Sequence, residues 1–111
     1  MIGPETLLFL LIAGHFLADY PLQGQFLAEA KNRHTSIGKT YWLHALTAHS
    51  FIHGGMVTLL TGSVLLGLAE TAVHWVTDWL KCENYIDLDM DQFIHIFSKV
   101  VWFVIITFIW V

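Results

Sequence analysis

Histidine and carboxylate side chains recur four residues apart in this chain, a spacing that places two side chains on one face of a helix. The pairs are His15 with Asp19, His74 with Asp78, and Asp91 with His95. Imidazole nitrogens and carboxylate oxygens are ligands of zinc and of other divalent transition metals. The three pairs therefore predict a metal site assembled from several helices.

The segments that must position these pairs are strongly apolar. Of the 111 residues, 56% are hydrophobic and 13% are charged, against about 25% charged residues in soluble domains. At about 20 apolar residues per span, the sequence predicts one domain (1–111), an all-α integral membrane bundle of four transmembrane helices. The predicted spans are about 5–20, 41–61, 64–81 and 90–111, and 21–39 is an interfacial segment and connector.

Local signals predict where these helices begin and end. Pro21 lacks the N–H that a helix interior needs, so the first helix should end or kink there. Thr40 is a candidate N-cap for the second span. Asp89, with Gln92 three residues later, resembles a capping box at the start of the fourth span.

The basic residues predict the orientation. Four of them lie in or beside the connector between spans 1 and 2 (connector 1–2) or the connector between spans 3 and 4 (connector 3–4): Lys31, Arg33, Lys39 and Lys81. Cytoplasmic loops carry an excess of Lys and Arg, so both connectors should be cytoplasmic. The formal net charge of −4 and the lack of a basic patch argue against a nucleic-acid partner.

The paired residues are also predicted to share one depth, within about 10 Å of the cytoplasmic interface at a rise of about 1.5 Å per residue. In the second span His44 matches that depth, whereas His49 and His53 lie deeper and His53 is on the opposite helix face. The predicted metal ligands are thus His15, Asp19, His44, His74, Asp78, Asp91 and His95. Zinc is the favoured metal, as one or two ions, while the roles of His49, His53 and Glu70 stay open.

A structural explanation competes with the metal site. A single intramembrane histidine is commonly a packing residue, and interhelical hydrogen bonds contribute only about 0.6 kcal/mol on average. Three pairs at one depth favour metal binding over independent packing contacts.

Several of these strings resemble a known family, domain of unknown function 3307, which groups small membrane proteins of bacteria and their phages. They are HFLADYPLQ (His15 to Gln23), Leu43-His44-Ala45, His74 to Asp78 with Lys81, and Asp91-Gln92-x-x-His95. The resemblance implies that these polar positions are the family's signature and that the chain is a multi-pass protein of the bacterial inner membrane. A more distant likeness is to membrane-bound metal-dependent hydrolases of the YdjM type.

The function predicted from these residues is a membrane-embedded metal-binding protein. It could be a metal-dependent hydrolase of a lipid or other amphipathic substrate at the cytoplasmic leaflet, because a bound metal lowers the pKa of water to about 7. Asp91 and Asp78 are then the catalytic candidates, and Gln23 and Lys81 form the substrate rim. The alternatives are a metal-ion or proton transporter or sensor acting as a homo-oligomer, haem ligation by a histidine pair, and a non-catalytic accessory protein.

Overall fold

The computed structural model describes residues 2–110, which form α-helices, one π-helical turn and no strand. The helices are α1 (Pro4–Asp19), α2 (Gly24–Ala30), α3 (Gly38–Thr61), α4 (Val64–Cys82) and α5 (Leu88–Val104), which continues into the π-helical turn Ile105–Ile109. The all-α prediction is confirmed. The predicted fourth span ends at residue 111 and the predicted domain covers 1–111, and residues 1 and 111 lie outside the described residues.

The break after the first helix agrees with the prediction made from Pro21. Helix α1 ends at Asp19, and α2 runs on at an angle of 81° to it. Gly24 takes a positive φ of 66° at the start of α2, a conformation that glycine adopts without strain. The side-chain amide of Gln23 donates to the Asp19 carbonyl at 2.9 Å, which pairs one backbone acceptor at the helix end.

Helix α3 begins earlier than the sequence indicated. Its first residue is Gly38, and Thr35 Oγ1 accepts a hydrogen bond from the Gly38 N–H at 2.9 Å. A Cβ at Gly38 would meet the Asn32 carbonyl, so the close approach of these two backbones requires glycine there. The predicted N-cap at Thr40 was therefore wrong: that residue already lies inside the helix.

The N-cap of α5 is also two residues earlier than predicted. The Asp87 carboxylate, rather than Asp89, accepts from the Met90 N–H at 2.8 Å. Gln92 is consequently not part of a capping box. Its side chain is directed into the bundle interior, where it contacts residues of α1.

Helices α3 and α4 form a hairpin whose backbones approach closely. Gly62 closes α3 in the left-handed conformation, and Ser63 caps α4 by accepting from the Leu66 N–H at 3.1 Å. A Cβ on Gly54 would lie 2.6 Å from the Gly67 carbonyl oxygen, and one on Gly67 would lie 2.7 Å from the Gly54 carbonyl oxygen. These two glycines fix the rotation of α3 against α4.

We expect Gly54→Ala to lower the free energy of unfolding by about 1–3 kcal/mol, because the added methyl group must push α3 and α4 apart. Gly55→Ala is the matched control, since a Cβ there meets nothing within 4 Å. The control should be neutral or slightly stabilising, by up to about 1 kcal/mol. Thermal or denaturant unfolding of the purified protein measures both, and equal effects would contradict the close contact.

The distribution of polar residues is reversed relative to a water-soluble protein. Among the described residues, the buried set contains eight hydrophobic side chains and thirteen polar or charged ones, so polar groups dominate the interior. Large apolar side chains such as Phe9, Leu59 and Phe93 are 63–77% exposed. Exposed apolar surface on this scale is typical of a protein that faces lipid or a partner.

One described helix, Leu88–Ile109, is long and apolar enough to cross a membrane, and the bent pair α1–α2 would be a second if it forms one span. Helices α3 and α4 do not pass the same test of length and composition. They carry three of the five buried histidines and two of the four buried carboxylates among the described residues, and these polar side chains lower their mean hydropathy. By length and composition, the described helices therefore support one or two spans and not the predicted four.

Candidate metal centre

The structure brings six of the seven predicted ligands into one buried cluster between the helices. They are His15 and Asp19 from α1, His74 and Asp78 from α4, and Asp91 and His95 from α5. The seventh, His44, lies on the exposed side of α3. The two predicted rim residues differ in placement: Gln23 closes the end of α1, and Lys81 is half-buried in the last turn of α4.

Helix α3 instead contributes His49 and His53 to the cluster, and their side chains are 0% and 1% exposed. The sequence did show that these two histidines share a helix face, one turn apart. It did not show which face of α3 looks inward. The assignment of His44 by depth is therefore corrected: His44 is exposed, and the two histidines that were predicted to lie deeper are the ones that reach Asp19, because the rotation of α3 turns them inward.

Four side chains offer ligand atoms that lie close enough together to hold one ion. They are Asp19, His49, His53 and His74, whose atoms all lie within 4.8 Å of one another. His49 Nε2 is 3.2 Å and His53 Nε2 is 3.3 Å from Asp19 Oδ1. Around a tetrahedral zinc with bonds of about 2.0–2.2 Å, neighbouring ligand atoms are about 3.3–3.6 Å apart. We call this set the first ligand group.

Four nitrogens of this group are buried without a hydrogen-bond partner: His49 Nδ1, both ring nitrogens of His53, and His74 Nε2. His53 Nε2 and His74 Nε2 have no such partner, although carboxylate oxygens of Asp19 and Asp78 lie 3.3 and 3.4 Å away. Their orientation is therefore wrong for a hydrogen bond while their distance is short. A buried polar atom left unpaired costs about 1–3 kcal/mol, and a shared cation between nitrogen and oxygen would remove that cost.

Glu70 orients the His74 ring by accepting a hydrogen bond from its Nδ1. Glu70 Oε2 lies 3.1 Å from His74 Nδ1, and a carboxylate can only accept, so the ring proton is on Nδ1 and the Nε2 lone pair is free. The other oxygen, Oε1, receives the Lys99 ammonium at 2.8 Å and the Trp102 N–H at 2.8 Å. Carboxylate–histidine pairs of this kind fix the tautomer of metal-ligating histidines.

Gln92 joins α5 to α1 at the centre of the cluster. Its amide nitrogen donates to Asp19 Oδ2 at 3.0 Å and to Asp91 Oδ2 at 3.1 Å. Its amide oxygen lies 3.0 Å from His15 Nε2 and accepts that ring proton. The sequence predicted that Gln92 belongs to a helix cap, and the signals for its role in the cluster were its place beside Asp91 and its position in the Asp91-Gln92-x-x-His95 string of the family resemblance.

Lysines balance part of the negative charge. The Lys31 ammonium lies 2.9 Å from Asp78 Oδ2. Burial lowers the pKa of Lys31, but the Asp78 carboxylate outweighs it and the net direction is upward, so the ammonium stays charged. Lys99, which is 2% exposed, balances the negative charge of Glu70 through an ion pair. The sequence placed Lys31 in a connector and gave no sign that it reaches α4.

A third ion pair, between Arg33 and Glu83, lies at the connector end of the bundle. Glu83, at the end of α4, accepts two hydrogen bonds from Arg33 and lies 2.8 Å from His34 Nε2. The hydrogen bonds from Arg33 lower the pKa of Glu83 to about 2. The connectors 1–2 and 3–4 therefore meet at the same end of the molecule.

The fold and this cluster define an all-α bundle with a polar, histidine-rich interior. Residues 7–111 match the family described as "Protein of unknown function (DUF3307)", and the chain belongs to that family. The resemblance seen in its polar strings is thereby confirmed. No curated protein and no solved structure matches the chain, and no match supports the likeness to YdjM-type hydrolases.

Proposed function

We propose that this chain is a membrane-embedded metal-binding protein whose first ligand group holds a divalent cation, with zinc the best fit. The observation that carries the proposal is the pair of buried, unpartnered Nε2 atoms of His53 and His74 beside carboxylate oxygens. Three imidazoles and one carboxylate are a donor set that suits zinc. Glu70 supplies the second contact that such a histidine ligand needs.

Membrane embedding through four spans is supported by the reversed distribution of polarity and by helix length. The 24 residues of α3 and the 19 of α4 give lengths of about 36 and 28 Å at about 1.5 Å per residue, and the hydrocarbon core is about 30 Å thick. The contact between Arg33 and Glu83 is consistent with two connectors on one side. The lysines and arginine there favour the cytoplasmic side.

Hydrolysis of a lipid or other amphipathic substrate at the cytoplasmic leaflet is the activity that we propose for this centre. Asp19 and Lys31 keep 11% of their side-chain surface exposed, so the cluster is accessible from the connector end. With only the first ligand group occupied, Asp91 is the general base, Asp78 is a further metal ligand, and Gln23 and Lys81 contact the polar part of the substrate. A bound metal would supply an acidified water and polarise the scissile bond.

Ion transport by an oligomer is the second candidate. A buried chain of charged contacts continues from His74 through Glu70 to Lys99, and such chains within membranes are typical of ion relays. Uptake of zinc or protons into liposomes that contain the protein would favour transport, and its absence alongside lipid hydrolysis would favour the enzyme.

Elemental analysis of the purified chain tests metal binding directly. We expect the wild-type protein to retain a divalent transition metal through purification and His74→Ala to lose it, because His74 is central to the first ligand group. His34→Ala is the matched control, since that histidine is 56% exposed and lies outside the cluster. A metal-free wild-type protein that also fails to bind added zinc would refute the proposal.

A further inference from the structure

Asp78 presents its two carboxylate oxygens to two different sets of side chains. Oδ2 lies 3.4 Å from both His49 Nε2 and His74 Nε2, on the side of the first ligand group. Oδ1 lies 3.0 Å from His95 Nε2, and the same nitrogen is 3.1 Å from Asp91 Oδ1. A carboxylate placed between two sets of donor atoms has the arrangement of a ligand that bridges two metal ions.

We propose that Asp78, Asp91 and His95 bind a second divalent cation, which Asp78 bridges to the cation in the first ligand group. This inference rests on the proposed function. All three residues are at most 2% exposed, and their ligand atoms lie within 4.8 Å of one another. Facing helices that supply carboxylates and histidines in this way build the dinuclear centres of helical bundles.

Gln92 orients both sites at once. Its amide nitrogen donates to Oδ2 of Asp19 and to Oδ2 of Asp91. Oδ1 of Asp19 is then directed to His49 and His53, and Oδ1 of Asp91 to His95. One side chain from α5 therefore positions a carboxylate of each site. His74 Nε2, one of the two unpartnered nitrogens that support the first site, also lies 3.4 Å from the bridging carboxylate.

The two sites differ in how many ligands the protein supplies. With the bridging Asp78, the first cation has five protein ligands, whereas the second has three. Three protein ligands and one open position are the pattern of catalytic zinc sites, in which water takes the fourth place. The second site is therefore where a water molecule or a substrate group would bind.

Charge predicts that the second cation binds more weakly than the first. Lys99 compensates Glu70 and Lys31 compensates Asp78, which leaves Asp19 and Asp91 as the uncompensated carboxylates. One divalent cation neutralises these two. A second cation adds excess positive charge to a buried site, and this charge requires an anion such as hydroxide or an acidic group of the substrate.

Titration of the metal-free, full-length chain in detergent with cobalt(II) tests the second site. Visible absorption should show two cobalt ions per chain, the second binding more weakly, and electron paramagnetic resonance should show magnetic coupling between them through Asp78. Asp91→Asn should bind one ion with no coupling. Asp89→Asn, an exposed neighbour in the same helical turn with the same change of charge, should behave as the wild type.

The outcomes separate this inference from the proposed function. One ion per chain in both the wild type and Asp91→Asn would overturn the second site and leave the first intact. Two uncoupled ions in the wild type would overturn the bridge, and loss of both ions from a folded Asp91→Asn would overturn the independence of the sites. No ion in any variant would overturn the proposed function as well.

Discussion

Replacing His53 by alanine is expected to lower the affinity for zinc by about 100-fold or more, whereas replacing His44 should leave it unchanged. Removal of a residue that only supports a ligand typically costs 10–100-fold in metal affinity, so loss of a ligand should cost at least the upper end. His53 is 1% exposed, and its Nε2 lies 3.3 Å from Asp19 Oδ1. Competition with a chromophoric chelator measures both variants.

His44 is an informative control because it lies on the same helix, bears the same side chain and is exposed. Circular dichroism should first show that both variants keep the helix content of the wild type. If His44→Ala lost the metal and His53→Ala retained it, α3 would have to be rotated by about half a turn relative to the arrangement described above.

Replacing Lys99 by methionine is expected to destabilise the protein by about 3–5 kcal/mol, the cost of removing one partner of a buried ion pair. Lys99 is 2% exposed, and its ammonium lies 2.8 Å from Glu70 Oε1. Without it, Glu70 remains buried with only the Trp102 N–H and His74 to stabilise its charge. Thermal or denaturant unfolding in detergent gives the change in the free energy of unfolding.

The double variant Glu70→Gln/Lys99→Met distinguishes the ion pair from simple loss of packing. It removes both charges, so it should recover most of the stability lost in Lys99→Met. It should still bind metal more weakly than the wild type, because His74 loses the carboxylate that fixes its tautomer. Lys39→Met, at an exposed position, controls for the removal of a lysine. A double variant no more stable than Lys99→Met would contradict a compensated ion pair.

The sequence determined the helices and most of the cluster because both depend on local spacing. Pro21, the polar connectors and the apolar runs are sufficient to place four long helices, with ends that differ from the structure by a few residues. The four-residue spacing of His and Asp is likewise a property of one helix at a time. It correctly indicated that α1, α4 and α5 each contribute a pair to the interior.

Only the tertiary structure decided how each helix is rotated about its own axis. The close contact between Gly54 and Gly67 sets that rotation for α3, so that His49 and His53 face inward and His44 faces outward. Burial also selected the long-range partners of Lys31, Gln92 and Lys99, because flexible side chains can reach several neighbours and local spacing does not choose among them. The sequence alone thus determined the His–carboxylate pairs within each helix. The packing of the helices decided that these pairs form one cluster with two sets of ligand atoms.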